Sequence, residues 1–366
     1  MNILILTITT GHGHNQVAAS VNQYAKDKGH NVDVLDALLH INPFCQKALD
    51  KGFLLSSSLT PAAYNTVYNL LDKRKPKIKK YMPYSLTYQE FDKKIVNYIK
   101  ETKPDAIICT HVVAAHFVSN LKKVGINIPT FGIVTDYTIH PYWNRTDIDY
   151  YIIPNEELIS EAVNKGIDKE KILPFGIPIN PKFNTSTDKK EARKILGLED
   201  KPTILMMSGS MGYGNLFKQL ENLCESSYDF QIVTICGNNK RIKKKIDEHS
   251  FSKKIYNIGF SKNVHLYMDA CDIAVTKPGG ITVSEALVKC LPIILINPIP
   301  GHEIKNMDFL VKGQVAYAVS KDISICDIVD KLFKFDDEIN CMKEKINLIR
   351  KPDASKDIIE FIEKFR

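Results

Sequence analysis

Short apolar runs recur along the chain at Ile3–Ile8, Val32–Leu35, Ala106–Cys109, Phe131–Val134, Ile152–Ile153, Ile204–Met207, Ile232–Cys236, Ile273–Val275 and Ile293–Ile296. Amphipathic stretches lie between most of them. Short continuous apolar runs read as strands buried on both faces, and their alternation with helices predicts parallel sheets covered by helices. The pattern breaks at "PFGIPINPKFN", residues 174–184, which is rich in Pro, Gly and Asn and has no period. It restarts with "KPTILMMSGSMGYGN", again a strand running into a Gly/Ser turn. The expected fold is therefore α/β, with two Rossmann-like domains facing across a cleft. Their expected bounds are 1–178 and 179–350. Residues 351–366 read as a closing helix with Asp353 or Ser355 as N-cap, expected to pack back on the N-terminal domain.

A chain of 366 residues suits two such domains, and a hydrophobic fraction of 44% supports a sizeable core and argues against disorder. The net charge of +7 favours anionic partners such as phosphates or acidic lipid surfaces. It falls well short of a dedicated nucleic-acid binder, so no nucleic acid is expected. The eight cysteines, at 45, 109, 224, 236, 271, 290, 326 and 341, include no CxxC pair and are expected as buried thiols in a reducing cytoplasm. Met1 opens directly into the strand "NILILTI", so no signal peptide is read there.

One stretch bears on membranes. Residues 52–71, "GFLLSSSLTPAAYNTVYNLL", carry no charge over 20 positions, but three serines, two threonines, two asparagines and a proline make them too polar for a membrane span. The stretch runs on into "DKRKPKIKKYMPY", where Lys73, Arg74, Lys75, Lys77, Lys79 and Lys80 make six of the eight residues 73–80 basic. Apolar and aromatic groups beside a basic cluster suit an interfacial segment on anionic lipid. A solvated basic loop is the alternative.

In open α/β sheets, ligands bind at the carboxyl ends of strands, near helix N-termini, and four turns of this chain sit there. In "TTGHGH", residues 9–14, Gly11 and Gly13 let the backbone approach a ligand closely, and His14 opens the following helix. A neutral imidazole there can take a proton from a hydroxyl. A turn-forming or capping histidine is the plainer alternative. A metal site is the other, but no third ligand has helpful spacing. In "SGSMGYGN", residues 208–215, Gly209 and Ser210 precede a helix whose amides and dipole suit an anion, although the stretch lacks the GK[ST] of a Walker A loop. "TDYTIHPYWNR", residues 135–145, clusters Asp136, His140 and the only tryptophan, Trp143. An aspartate near a histidine can orient or charge-stabilise it, and the aromatic groups suit the apolar part of an acceptor.

The most specific stretch is "CDIAVTKPGGITVSEALVKCLPIILINPIPGHEIKN", residues 271–306. Its strand ends at Thr276. The amides after Gly279 and Gly280, together with Thr282, can take a diphosphate. Glu285, one turn further on, can bond both hydroxyls of a ribose. His302, Glu303 and Asn306 follow the next strand and suit sugar hydroxyls.

Together these motifs resemble the GT-B glycosyltransferases of family 28. "GHGHNQVAASV" and "TDYTIHPYW" are similar to the monogalactosyldiacylglycerol synthases and the bacterial processive diacylglycerol glucosyltransferases. "SGSMGYGN" and residues 271–306 carry the resemblance in the second half, and together the motifs cover nearly the whole chain. The resemblance implies an inverting transfer of a hexose from UDP-glucose or UDP-galactose to a diacylglycerol-type lipid, giving a β-glycolipid. It also implies a cytoplasmic protein, peripheral on the inner face of the cell membrane. His14 matches the general base, with Asp136 as the next candidate. Gly209 and Ser210 match contacts near the donor phosphates, and Phe260, in "NIGF", matches the uracil contact. Thr282 and Glu285 match diphosphate and ribose contacts, and Glu303 and Asn306 the sugar-reading segment. Gly11, Gly13, His140 and Trp143 fall on the acceptor side.

One departure is His302. Relatives commonly carry Gln or Asn around 302–306, so the donor sugar stays open. No metal or other cofactor is expected. No DxD motif stands at a strand end, "DID" at 147–149 precedes a predicted strand, and helix N-termini and amides can stabilise the leaving UDP. A polyprenyl-linked or non-lipid acceptor, a nucleotide-sugar 2-epimerase and a non-catalytic lipid-binding protein are the alternatives.

Overall fold

The computed structural model describes residues 1–9, 12–41, 86–119, 121, 124–207 and 216–366. Contacts divide the chain into two units. One comprises Met1–Asn180, Pro300–His302 and Lys351–Arg366; the other comprises Pro181–Ile299 and Glu303–Arg350.

The first unit is built on strands β1 (Asn2–Thr7), β2 (Asn31–Asp36), β3 (Ala106–Cys109), β4 (Thr130–Ile133), β5 (Tyr150–Ile152) and β6 (Ile172–Leu173). They form one parallel sheet in the order β2-β1-β3-β4-β5-β6. The second unit has β7 (Thr203–Met207), β8 (Gln231–Ile235), β9 (Ile255–Ile258), β10 (Ile273–Thr276), β11 (Ile293–Leu295) and β12 (Ala316–Ala318). These are again all parallel, in the order β12-β11-β10-β7-β8-β9.

The apolar runs become strands because helices cover both faces of each sheet. Ile3, Leu4, Ile5 and Leu6 of β1 are at most 2% exposed, and Ile204, Leu205 and Met206 of β7 are fully buried. Each such side chain contributes about 1.5–3 kcal/mol over its exposed state. The helix Gly13–Asp27 buries Val17, Ala18, Val21 and Ala25, a three-and-four spacing that lays one apolar stripe on the sheet.

The helix Ala354–Ile362 follows Asp353 at the N-cap position, although the Asp353 side chain makes no capping bond. Phe361 and Phe365, at and just beyond the end of this helix, pack against Phe131 and Tyr150 of the first sheet. Glu363 accepts from His30 at 2.8 Å beside them.

The cysteine expectation needs correction. Of the seven described, all free, Cys109, Cys236 and Cys271 are buried, but Cys224, Cys290 and Cys326 are half-buried and Cys341 is exposed. Cys326 and Cys341 sit on helices that pack only one face against the core. Cys45 lies outside the described residues.

Candidate active site

Both strand orders contain a reversal. In the first sheet the chain leaves β1 towards β2 and then returns to place β3 on the other side. In the second it leaves β7 towards β8 and β9, then returns with β10. At such a switch point the connections diverge to opposite faces, which opens a crevice at the carboxyl ends of the two central strands.

His14 lies at the β1/β3 crevice. It is the second residue of the helix Gly13–Asp27, and its Nδ1 is 2.7 Å from the carbonyl oxygen of Thr110, just past β3. A carbonyl only accepts, so Nδ1 carries the proton and Nε2 keeps its lone pair. Burial lowers the His14 pKa below its usual value; the Thr110 hydrogen bond and the Asp136 carboxylate pull the other way. The imidazole is therefore neutral at neutral pH. The turn is held by groups that sequence reasoning missed. Asn15 accepts from Thr7 Oγ1 and donates to Thr9 Oγ1, both at 2.8 Å, and Thr9 bonds Asp36 through its backbone N–H and its hydroxyl. Gly11 lies outside the described residues, and so do the six basic residues Lys73, Arg74, Lys75, Lys77, Lys79 and Lys80. His140 accepts the backbone N–H of Tyr142 at 3.2 Å and packs against its ring.

Trp143 overturns one expectation. It is 4% exposed and belongs to the core of the first unit, not to an acceptor surface. Its ring lies on Gly132 of β4, where a Cβ would come within 2.6 Å of the indole and 2.5 Å of Ile148 Cδ1. Tyr151 meets it edge-on. A bare glycine in a central strand makes the recess that the indole fills. Trp143→Ala should therefore cost about 3–5 kcal/mol of stability as a cavity. A thermal melt followed by circular dichroism will register this as an earlier transition, while the acceptor KM of the remaining folded protein stays unchanged.

At the β7/β10 crevice, "KPGG" leads into the helix Gly280–Val288. Seven of its nine residues are buried; the other two, Thr282 and Glu285, are half-buried and share one face at i, i+3 spacing. The Glu285 carboxylate has no hydrogen-bond or ion-pair partner among the described residues, and burial pushes its pKa up to about 8. An unpaired, desolvated carboxylate beside a helix N-terminus is costly unless something donates to it.

The helix His302–Lys312 is tied to this turn from within. Glu303 places one carboxylate oxygen 3.3 Å from Lys277 Nζ, and its other oxygen accepts the Ile299 N–H at 2.6 Å. Asn306, fully buried, donates to the Pro278 carbonyl at 2.8 Å. The Lys277–Glu303 pair was not anticipated from sequence. Phe260, just beyond β9, is 65% exposed. Gly209 and Ser210 lie outside the described residues. Among the described residues, no group of three or more His, Cys, Asp or Glu side chains is placed to hold a metal ion, and no helix is long and apolar enough to cross a membrane.

Comparison with known proteins agrees with this division. Residues 14–179 match the family model described as monogalactosyldiacylglycerol (MGDG) synthase, and residues 188–334 match glycosyl transferases group 1. The chain is 30% identical to the processive diacylglycerol beta-glucosyltransferase of Bacillus licheniformis, over 98% of this chain and 94% of that protein. It is 32% identical to the Staphylococcus saprophyticus protein of the same name, over 96% and 89%. The chain belongs to the GT-B glycosyltransferases of family 28. The crystal structure of MurG from Acinetobacter baumannii superposes with a TM-score of 0.66 over 99% of both chains at 15% identity, which speaks to the fold. In this family 28 glycosyltransferase, each half thus carries one polar cluster at the switch point of its own sheet.

Proposed function

We propose that the chain moves a hexose from a UDP-sugar to the hydroxyl of diacylglycerol or a related membrane lipid, with inversion, giving a β-glycolipid. The observation that carries this reading is the His14 imidazole, held at a switch point as an Nδ1–H tautomer with a free Nε2 lone pair. As the lipid hydroxyl attacks C1 of the α-linked sugar, Nε2 accepts the hydroxyl proton, the C1–O bond to UDP breaks and the configuration inverts. Asp136 steadies the imidazolium that forms. The second unit supplies the donor side. Thr282 and the amides at the start of the helix Gly280–Val288 meet the diphosphate, Glu285 the ribose and Phe260 the uracil. Glu303 and Asn306, through Lys277, Ile299 and Pro278, hold the turn and the segment that reads the sugar. The names of the relatives support diacylglycerol as acceptor and glucose as the transferred sugar.

The test is incubation with UDP-glucose or UDP-galactose and liposomes containing diacylglycerol, followed by separation of the lipids. A β-linked glycolipid, formed equally in EDTA, is expected; hydrolysis to free sugar or epimerisation alone would overturn the reading. We further propose that the basic run at residues 73–80 docks the protein on anionic lipid. Each basic residue near such a surface contributes about 1 kcal/mol. Neutralising Lys73, Arg74, Lys75, Lys77, Lys79 and Lys80 together should release the protein from anionic liposomes in flotation, while activity on a short-chain, water-soluble acceptor is largely spared. Equal flotation of both proteins would assign membrane contact to another surface.

A further inference from the structure

The end of β3 delivers two consecutive residues to the first helix. The Thr110 carbonyl accepts from His14, and the ring of the next residue, His111, stands edge-on to the His14 ring, with centroids 4.5 Å apart and planes at 76°. The two imidazoles are held in opposite tautomers. His14 is protonated at Nδ1. His111 is protonated at Nε2, because its Nδ1 accepts the backbone N–H of Val113 at 3.1 Å. One ring thus offers a lone pair at Nε2 and its neighbour offers an N–H at Nε2.

That N–H has no hydrogen-bond partner among the described residues. The hydroxyl of Thr110, the residue before His111, is 0% exposed and also without a partner among the described residues. An N–H left unpaired on a half-buried ring beside the proposed base is available to a polar ligand that enters the crevice. Burial holds both rings neutral: the His111 pKa is driven well below its usual value by desolvation, and by His14, His140 and His116 around it. A neutral second ring adds a donor without the positive charge that would oppose proton uptake by His14.

We propose that His111 is an acceptor-binding residue, whose Nε2–H donates to an oxygen beside the lipid hydroxyl that His14 deprotonates. The class of acceptor follows from this geometry. It carries a hydrogen-bond-accepting oxygen on the carbon next to the one bearing the reactive hydroxyl. The sn-2 ester of diacylglycerol supplies one, and so does the ring oxygen beside the primary hydroxyl of a hexose already attached. The proposal rests on the reading of His14 as the base.

Three substitutions separate donor, acceptor and ring. The His111→Gln amide nitrogen reaches the place of Nε2, the His111→Asn amide oxygen reaches the place of Nδ1, and His111→Phe keeps only the ring. Steady-state kinetics on diacylglycerol, with His14→Ala run alongside, should find kcat/KM for the acceptor down about 10- to 100-fold in Asn and Phe, the range for losing one or two good hydrogen bonds. Gln should recover most of it, and KM for the UDP-sugar should not move in any of them. Wild-type activity in Asn with loss in Gln would reduce His111 to a partner for the Val113 N–H, and wild-type activity in Phe would deny it any polar role. Either result with His14→Ala inactive sinks this proposal alone. An active His14→Ala removes the base reading instead. Should a variant fail to fold, wild-type enzyme can be given a long-chain 1-alkanol, which lacks the neighbouring oxygen. It should lose the same factor, and an undiminished kcat/KM would overturn the proposal.

Discussion

His14→Ala should lower turnover by about 10²- to 10⁴-fold, the usual contribution of a positioned general base. UDP affinity should barely change, because the nucleotide contacts are proposed for the other unit. The pH profile carries a second signature. Burial lowers the His14 pKa from its ordinary 6.5, and protonation is what removes the base. The midpoint of the acid limb of wild-type turnover should therefore lie below 6.5, the ordinary histidine value. The variant should lose that acid limb. Near-normal turnover in His14→Ala would take the imidazole out of the mechanism and leave Asp136 as the next candidate.

Glu285→Ala should weaken UDP binding by about 10- to 150-fold, the equivalent of roughly 1.5–3 kcal/mol for hydrogen bonds to a charged acceptor. Here too pH gives an independent reading. In the free protein, burial raises the Glu285 pKa to about 8, so at neutral pH the carboxyl holds its proton much of the time. Ribose hydroxyls that donate to it favour the ionised form, so binding lowers the pKa and releases a proton. The sign follows by linkage: affinity rises with pH and levels off once pH exceeds the free-state value. Calorimetric titrations with UDP should find a steeper rise between pH 6.5 and 8.5 for wild type than for Glu285→Gln, since titration of the nucleotide's own phosphate is common to both. Equal slopes and equal affinities would mean that the helix after "KPGG" does not meet the ribose.

Much of this enzyme could be read directly from its residues. All nine apolar runs named from sequence fall on strands of the two sheets; eight are interior strands, apolar because both faces are buried, and the ninth, on β2, lies at a sheet edge with only Val32 buried. The strands that escaped, β6, β9 and β12, all lie at sheet edges. One side of an edge strand faces solvent, so β9 has every residue only half-buried and carries no apolar run. The histidine and glycine turns were legible too, since parallel α/β chains place functional turns after strands. Chain order could not say which turns would meet. His14 and Thr110 stand 96 positions apart and touch only because β3, not β2, lies on the far side of β1. That strand order arises from packing helices on both faces, and no local signal in the sequence encodes it. The same limit misassigned Trp143, whose indole reads as a surface aromatic until the recess over Gly132 is seen. It also hid His111 and Lys277, whose partners are distant in sequence. Residue type and spacing determined the chemistry this chain carries, while the tertiary structure decided which groups are desolvated, and with which neighbours, because burial and contact belong to packing.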